Sequence, residues 1–113
     1  MNKIAIMQPY FYPYIEYFRL INQVDIFVFL TDVQYAKGWT NRNRIKSNIN
    51  DWQYITVPIK KHSRNSKIRD ILINDKSWNL SLIKKLKCSY KKTSMFEHIG
   101  NFISNNNFDL LFE

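Results

Sequence analysis

Ile4-Ala5-Ile6-Met7 opens the chain as a short apolar run, and Asp25-Ile26-Phe27-Val28-Phe29-Leu30 answers it after one intervening stretch. The second run is β-branched and aromatic, and both read as buried strands. Between them, Gln8-Pro9-Tyr10-Phe11-Tyr12-Pro13-Tyr14 is an aromatic loop bracketed by prolines. Each proline fixes its own φ and pushes the preceding residue out of the helical region, so the loop is stiff. Ile15, Phe18, Leu20 and Ile21 then form an apolar face at helical spacing, with Glu16, Arg19 and Asn22 elsewhere. Strand, stiff turn, helix and strand make a βαβ unit. Its crossover is expected to be right-handed and its strands parallel, so both carboxyl ends reach one edge of the sheet. Gln8 stands at that edge, and Asp32 and Gln34 follow just past Leu30. Ligands of open α/β sheets bind outside this edge.

Further along, Lys37-Gly38-Trp39-Thr40-Asn41-Arg42-Asn43-Arg44 is polar, basic and aperiodic, and reads as a loop. Residues 52–59 alternate and are rich in strand formers, and Pro58 ends that strand or puts it at an edge. Residues 60–65 form a charged connection, and residues 68–73 read as a short strand. Asn74-Asp75-Lys76-Ser77 supplies turn and N-cap chemistry. Trp78, Leu82, Leu86 and Tyr90 recur every four residues with Ile83 beside them, the clearest amphipathic helix in the chain. A second helix is expected over 95–103, a loop over 105–107, and an apolar segment from Phe108 that stops abruptly. The fold class that results is α/β, with an N-terminal βαβ unit, a partly parallel mixed sheet and flanking helices. Residues 1–113 are expected to form one domain.

Composition narrows the classes. The chain has 113 residues, 45% hydrophobic and 23% charged, which suits a globular domain rather than a disordered tail. The net charge of +8 admits nucleic acid, a membrane surface or phosphorylated small molecules as partners. The many Asn, Ile and Lys residues have the look of an A+T-rich coding sequence, which offers a plainer source for part of that charge. One cysteine, Cys88, makes no internal disulfide, and with His62 and His98 it assembles no zinc ligand set, so no metal site is expected; the sequence leaves the cofactor unknown. No run approaches the roughly 20 apolar residues of a spanning helix, so membrane insertion is not expected and the chain reads as cytoplasmic.

Each candidate functional residue has a plainer alternative. The aromatic loop, with Gln8 and Tyr10, is a stacking and hydrogen-bonding platform or a cap over the sheet edge. Asp32 is a general base, a metal ligand or a ribose binder, or else the cap of the following turn. Arg42 and Arg44 flank Asn43, and in an extended segment residues two apart share a side, so both guanidiniums can face one anion. The alternative is a solvated basic loop, against which the residue-specific neighbours Trp39 and Asn41 weigh. Cys88 lies among lysines without a partner histidine in sequence, and His62 reads as an exposed loop histidine. No Gly-rich phosphate loop, HExxH, GxSxG or CxxC is present.

The residues also carry a resemblance. Residues 7–18, then Asp25-Ile26-Phe27-Val28-Phe29, Asp32-Val33-Gln34-Tyr35 and Trp39-Thr40-Asn41-Arg42-Asn43-Arg44-Ile45 resemble, in order and spacing, the opening of WbqC-like proteins. Ile55-Thr56-Val57-Pro58-Ile59-Lys60-Lys61 and the 78–90 helix are similar to that family too. Two features depart from it. Glu16 stands where the family usually has Gly, and members are usually about twice as long, so the resemblance covers the family's N-terminal half. It implies a bacterial protein tied to O-antigen or other surface-polysaccharide biosynthesis, acting on a nucleotide-sugar or an activated acyl or amino-acid donor. On that reading Asp32 is the candidate catalytic base. Gln8, Tyr10, Gln34, Trp39, Asn41, Arg42, Asn43 and Arg44 are the substrate-binding candidates, for a small molecule with a phosphate or carboxylate. The alternatives are a small basic nucleic-acid-binding module, for which no motif speaks, and an inactive remnant of a longer enzyme. Such a remnant is expected to be poorly soluble and to expose apolar surface where the family's second half would dock, and an oligomer or a second chain is an expected partner.

Overall fold

The structure, a computed structural model, describes residues 1–105 and 110–112. Strand β1 (Ile4–Met7), helix α1 (Ile15–Gln23) and strand β2 (Ile26–Phe29) form the expected βαβ unit. The two strands are parallel, with Ile4 opposite Ile26 and Met7 opposite Phe29. The Leu30 amide extends the ladder by donating to the Met7 carbonyl at 2.8 Å, so Gln8 and Thr31 leave from the same edge. Glu16 occupies the first turn of α1 and pairs with Arg19, a spacing that suits a helix surface.

Strands β3 (Arg42–Lys46) and β4 (Trp52–Thr56) form an antiparallel hairpin. The parallel and antiparallel pairings therefore occupy two separate two-stranded sheets. Residues 42–44, read from sequence as loop, are strand. Their composition is polar because one face of this hairpin is open, and the ladder to β4 supplies the regularity that sequence periodicity lacks. Alternation puts Arg42, Arg44, Trp52, Tyr54 and Thr56 on the open face, and Asn43, Ile45, Gln53 and Ile55 on the other.

Helix α2 (Trp78–Tyr90) and helix α3 (Phe96–Ser104) cover that inner face. Trp78 and Leu82 are buried with Ile55, Val57, Ile73 and Ile103, and Ile83 and Leu86 pack against them. The four-residue stripe of α2 thus faces the core. A second cluster joins Tyr35, Ile68 and Ile71. It is built where residues 31–35 run alongside 66–69, with Tyr35 bonded to the Ser66 carbonyl and Ile68 to that of Val33.

The strand expected over 68–73 is instead a 3₁₀ turn (Ile68–Asp70) followed by isolated bridges from Leu72 and Ile73. Ile68 and Ile71 are the buried pair, and a three-residue spacing is that of a 3₁₀ turn, whereas Ile71 and Ile73 alternate as in a strand. Ahead of α2, the Asp75 carboxylate accepts bonds from the Ser77 amide and hydroxyl, so turn chemistry does set the helix start. The loop and apolar segment expected beyond residue 105 fall mostly outside the described residues.

A larger correction concerns β1 and β2. Both were expected to be buried, yet neither strand contributes to either core cluster. Ala5, Met7 and Phe27 are half-buried on the side of α1, where Phe27 meets the buried Tyr17 at 5.5 Å. The opposite side is open.

Candidate functional site

The aromatic loop and the hairpin meet. Phe11 donates its amide to the Trp39 carbonyl at 2.8 Å. The Asn43 side-chain amide donates to the Phe11 carbonyl at 3.0 Å and to the Tyr12 carbonyl at 2.8 Å. Tyr12 has φ 41°, the left-handed region that costs a non-glycine residue about 1 kcal/mol or more. Asn43 and the two prolines hold the loop in that shape. The result is a cleft of about 270 Å³ lined by Tyr10, Pro13, Tyr14, Trp39, Asn43 and Arg44.

Arg44 is the cleft's cation. Its guanidinium lies 5.3 Å from the Trp39 ring centre and 5.1 Å from that of Trp52. Trp52 meets Tyr54 edge-on at 5.0 Å, and Arg42 lies over Tyr54 at 4.6 Å. The open hairpin face is thus an alternating array of indoles, a phenol and two guanidiniums. Indole faces attract a guanidinium electrostatically and hold it flat, while leaving its N–H edge free for an oxyanion. Among the described residues, no carboxylate pairs with Arg42 or Arg44. The Nε of Arg42 is shut from solvent and makes no hydrogen bond.

Tyr10 packs against Tyr17 with ring centres 5.3 Å apart and planes tilted by 44°, and Tyr17 donates its hydroxyl to the Gln8 carbonyl at 2.7 Å, which anchors the start of the loop. Burial raises the pKa of Tyr12 and of Tyr17, the latter also through Tyr10. Both phenols stay protonated at neutral pH. On the far side of Tyr10 and Pro13 lies an apolar hollow of about 410 Å³, lined among others by Phe11, Val57, Ile73 and Trp78.

The other sequence candidates lie elsewhere. Asn41 is buried, and its side chain accepts from the Tyr35 hydroxyl at 2.8 Å and donates to the Val57 carbonyl at 3.1 Å. It braces the hairpin to the second cluster. Gln34 donates its side-chain amide to the Arg64 carbonyl. Asp32 is exposed and paired with Lys67, with Arg69 at 3.4 Å. The hydrogen bond from Lys67, then the charges of Arg69 and Lys67, hold its carboxyl below the usual value. A carboxylate so held is a charged acceptor and a weak base. Tyr10, Trp39, Asn43 and Arg44 therefore come together, Arg42 adjoins Arg44 along the open face of the hairpin, and Asp32 and Gln34 belong to the 31–35 strip. The sequence reading missed Trp52 and Tyr54. Their signal was the alternation of β4, which sets two large aromatics on the face opposite Ile55.

A sequence model of the WbqC-like protein family matches residues 8–107. This chain belongs to that family. The match spans the aromatic loop, Asp32 and the whole hairpin, so the WbqC-like segment contains every lining residue of the cleft. An uncharacterized protein of Mycobacterium tuberculosis is 38% identical over 106 residues, covering 92% of this chain and 46% of that protein. The chain thus spans less than half the length of the relative it matches. No solved structure matches. No helix among the described residues is long and apolar enough to cross a membrane.

Proposed function

We propose that this WbqC-like chain is a ligand-recognition domain for surface-polysaccharide precursors. Its ligand is a nucleotide-sugar or an activated acyl or amino-acid donor in a transferase-type reaction. The observation that carries this reading is the Arg44 guanidinium, held between two indole faces at the mouth of a cleft and left without a carboxylate partner. A donor of this class presents a phosphate or carboxylate for Arg44 and flat or apolar surface for Tyr10, Trp39 and the hollow behind the loop. Membership of the family supports the biosynthetic setting. Asp32 is the one candidate base. It stands outside the Arg44 cleft, on the 31–35 strip, where the hydrogen bond from Lys67 and the charge of Arg69 hold its carboxyl below the usual value.

Intrinsic tryptophan fluorescence during titration with nucleotide-sugars and acyl donors tests the binding reading, since Trp39 and Trp52 both touch Arg44. One ligand class is expected to quench it. Arg44→Ala should weaken that binding about 10- to 100-fold, the worth of a charge-assisted hydrogen-bonded contact. Equal affinity in the variant, or no binding by any member of the set, rejects the reading. For Asp32, the Asn variant in a full-length relative should keep the fold and lose turnover.

A second reading rests on the same open face. Trp39, Trp52 and Tyr54 are exposed beside two arginines, a pattern that also suits stacked bases of single-stranded nucleic acid. Oligonucleotide affinity that falls steeply with salt would favour it; absence of binding at low salt would dismiss it.

A further inference from the structure

The parallel pair β1–β2 has one face without a cover. Ile4, Ile6, Ile26 and Val28 share that face by register and alternation. They are 58%, 59%, 45% and 40% exposed. None is polar, and they lie side by side, Ile4 opposite Ile26 and Ile6 opposite Val28. The other face carries Phe27 against Tyr17 of α1, and Phe29 against Phe112. Parallel sheets occur almost only with both faces covered, and an isolated two-stranded sheet is marginal in water. The larger part of the mycobacterial relative has no counterpart in this chain.

We infer that the Ile4–Ile6–Ile26–Val28 face is the docking surface for a further α/β polypeptide, equivalent to the unmatched part of that relative. A helix of that polypeptide lies across the four side chains. A helix is the expected cover because a βαβ-type layer packs helices on both sides of parallel strands. The surface lies on the opposite side of the sheet from α1, so its occupant and the ligand of the Arg44 cleft are separate matters.

The test compares two settings of one double substitution, Ile6→Asp with Val28→Asp. In the 113-residue chain the melting temperature should change little, because both side chains already face water. In a chimera that puts this chain in place of the matching segment of the mycobacterial relative, the same pair should lower the melting temperature by roughly 10 °C, through charges forced into an apolar contact. Amides of residues 4–7 and 26–29 should also become protected from exchange in the chimera. An equally small effect in both settings overturns the inference. So does a 113-residue chain that is a dimer by light scattering and that the substitutions dissociate, since the face would then belong to a second copy. If the chimera does not fold, the two parts are co-expressed as separate chains, and failure to purify as a one-to-one complex overturns it.

Discussion

Asn43 and Asn41 are two residues apart and do opposite work. Asn41 sits among core groups with its amide and carbonyl both bonded inward. Asn43 bonds across to the neighbouring segment and ties the aromatic loop to β3 through two backbone carbonyls. The loop's stiffness therefore has two sources, prolines visible in the sequence and a side-chain clamp that is not. Asp32 is the residue whose charge can be followed directly. Its folded-state pKa is depressed by Lys67 and Arg69. A depressed carboxyl pKa gives stability that is fully present above the ordinary value of 3.8 and is lost as pH falls through the folded value. Carboxyl NMR should find Asp32 titrating below 3.8, and Lys67→Ala should move it back up. An unmoved titration would show that the ion pair is not made in solution.

Among the elements, α2 shows most plainly how an apolar stripe becomes a packed face. Leu82 lies in the main cluster with Trp78 and Ile55, while Leu80, two residues away, points to solvent. Leu82→Ala should destabilise the chain by about 2–5 kcal/mol, the usual cost of a large-to-small change in a core. Leu80→Ala should stay within about 0.5 kcal/mol. Denaturant midpoints of the two variants decide it, and comparable losses would mean that α2 packs in another register. The β3–β4 hairpin divides its chemistry in the same way. Its inner face adds Ile55 to the core, and its outer face sets Arg42, Arg44, Trp52 and Tyr54 in one array. One alternating hairpin thus anchors the fold on one face and displays two arginines among aromatic rings on the other.

At the scale of the whole molecule, the apolar clusters sit under β4, α2 and α3 and along the 31–35 strip, while β1 and β2 lie outside them. The radius of gyration is 15.5 Å. A compact chain of 100 residues has about 13 Å. The βαβ unit is joined to the rest by the aromatic loop, with Phe11 edge-on to Trp78 at 6.4 Å and Asn43 on the loop carbonyls. Local stability should follow that division. Amides of β1 and β2 should exchange well before those of Ile55 in β4 and Leu82 in α2. Uniform protection across the chain would mean that the βαβ unit and the core open as one.

The N-terminal βαβ unit, the α2 stripe, the stiff loop and the cluster of Trp39, Asn43 and Arg44 were legible because each is a local pattern. Apolar periodicity, prolines at fixed offsets and residue types two apart need no knowledge of distant partners. Residues 42–44 could not be read as strand, because only pairing with β4 makes a polar segment extended. Trp52 and Tyr54 could not be assigned to the open face beside Arg42 and Arg44, because a strand's two faces look alike until the core shows which is inside. Ile68–Ile73 carried both a three-residue and a two-residue spacing, and packing against Tyr35 on one side and Trp78 on the other resolved it into a turn and a bridge. Apolar strands are expected to be buried because water disfavours them. Sequence alone determined that β1 and β2 are apolar strands of one βαβ unit, and only the tertiary structure decided that one face of the pair stays open, because burial depends on segments distant in the chain.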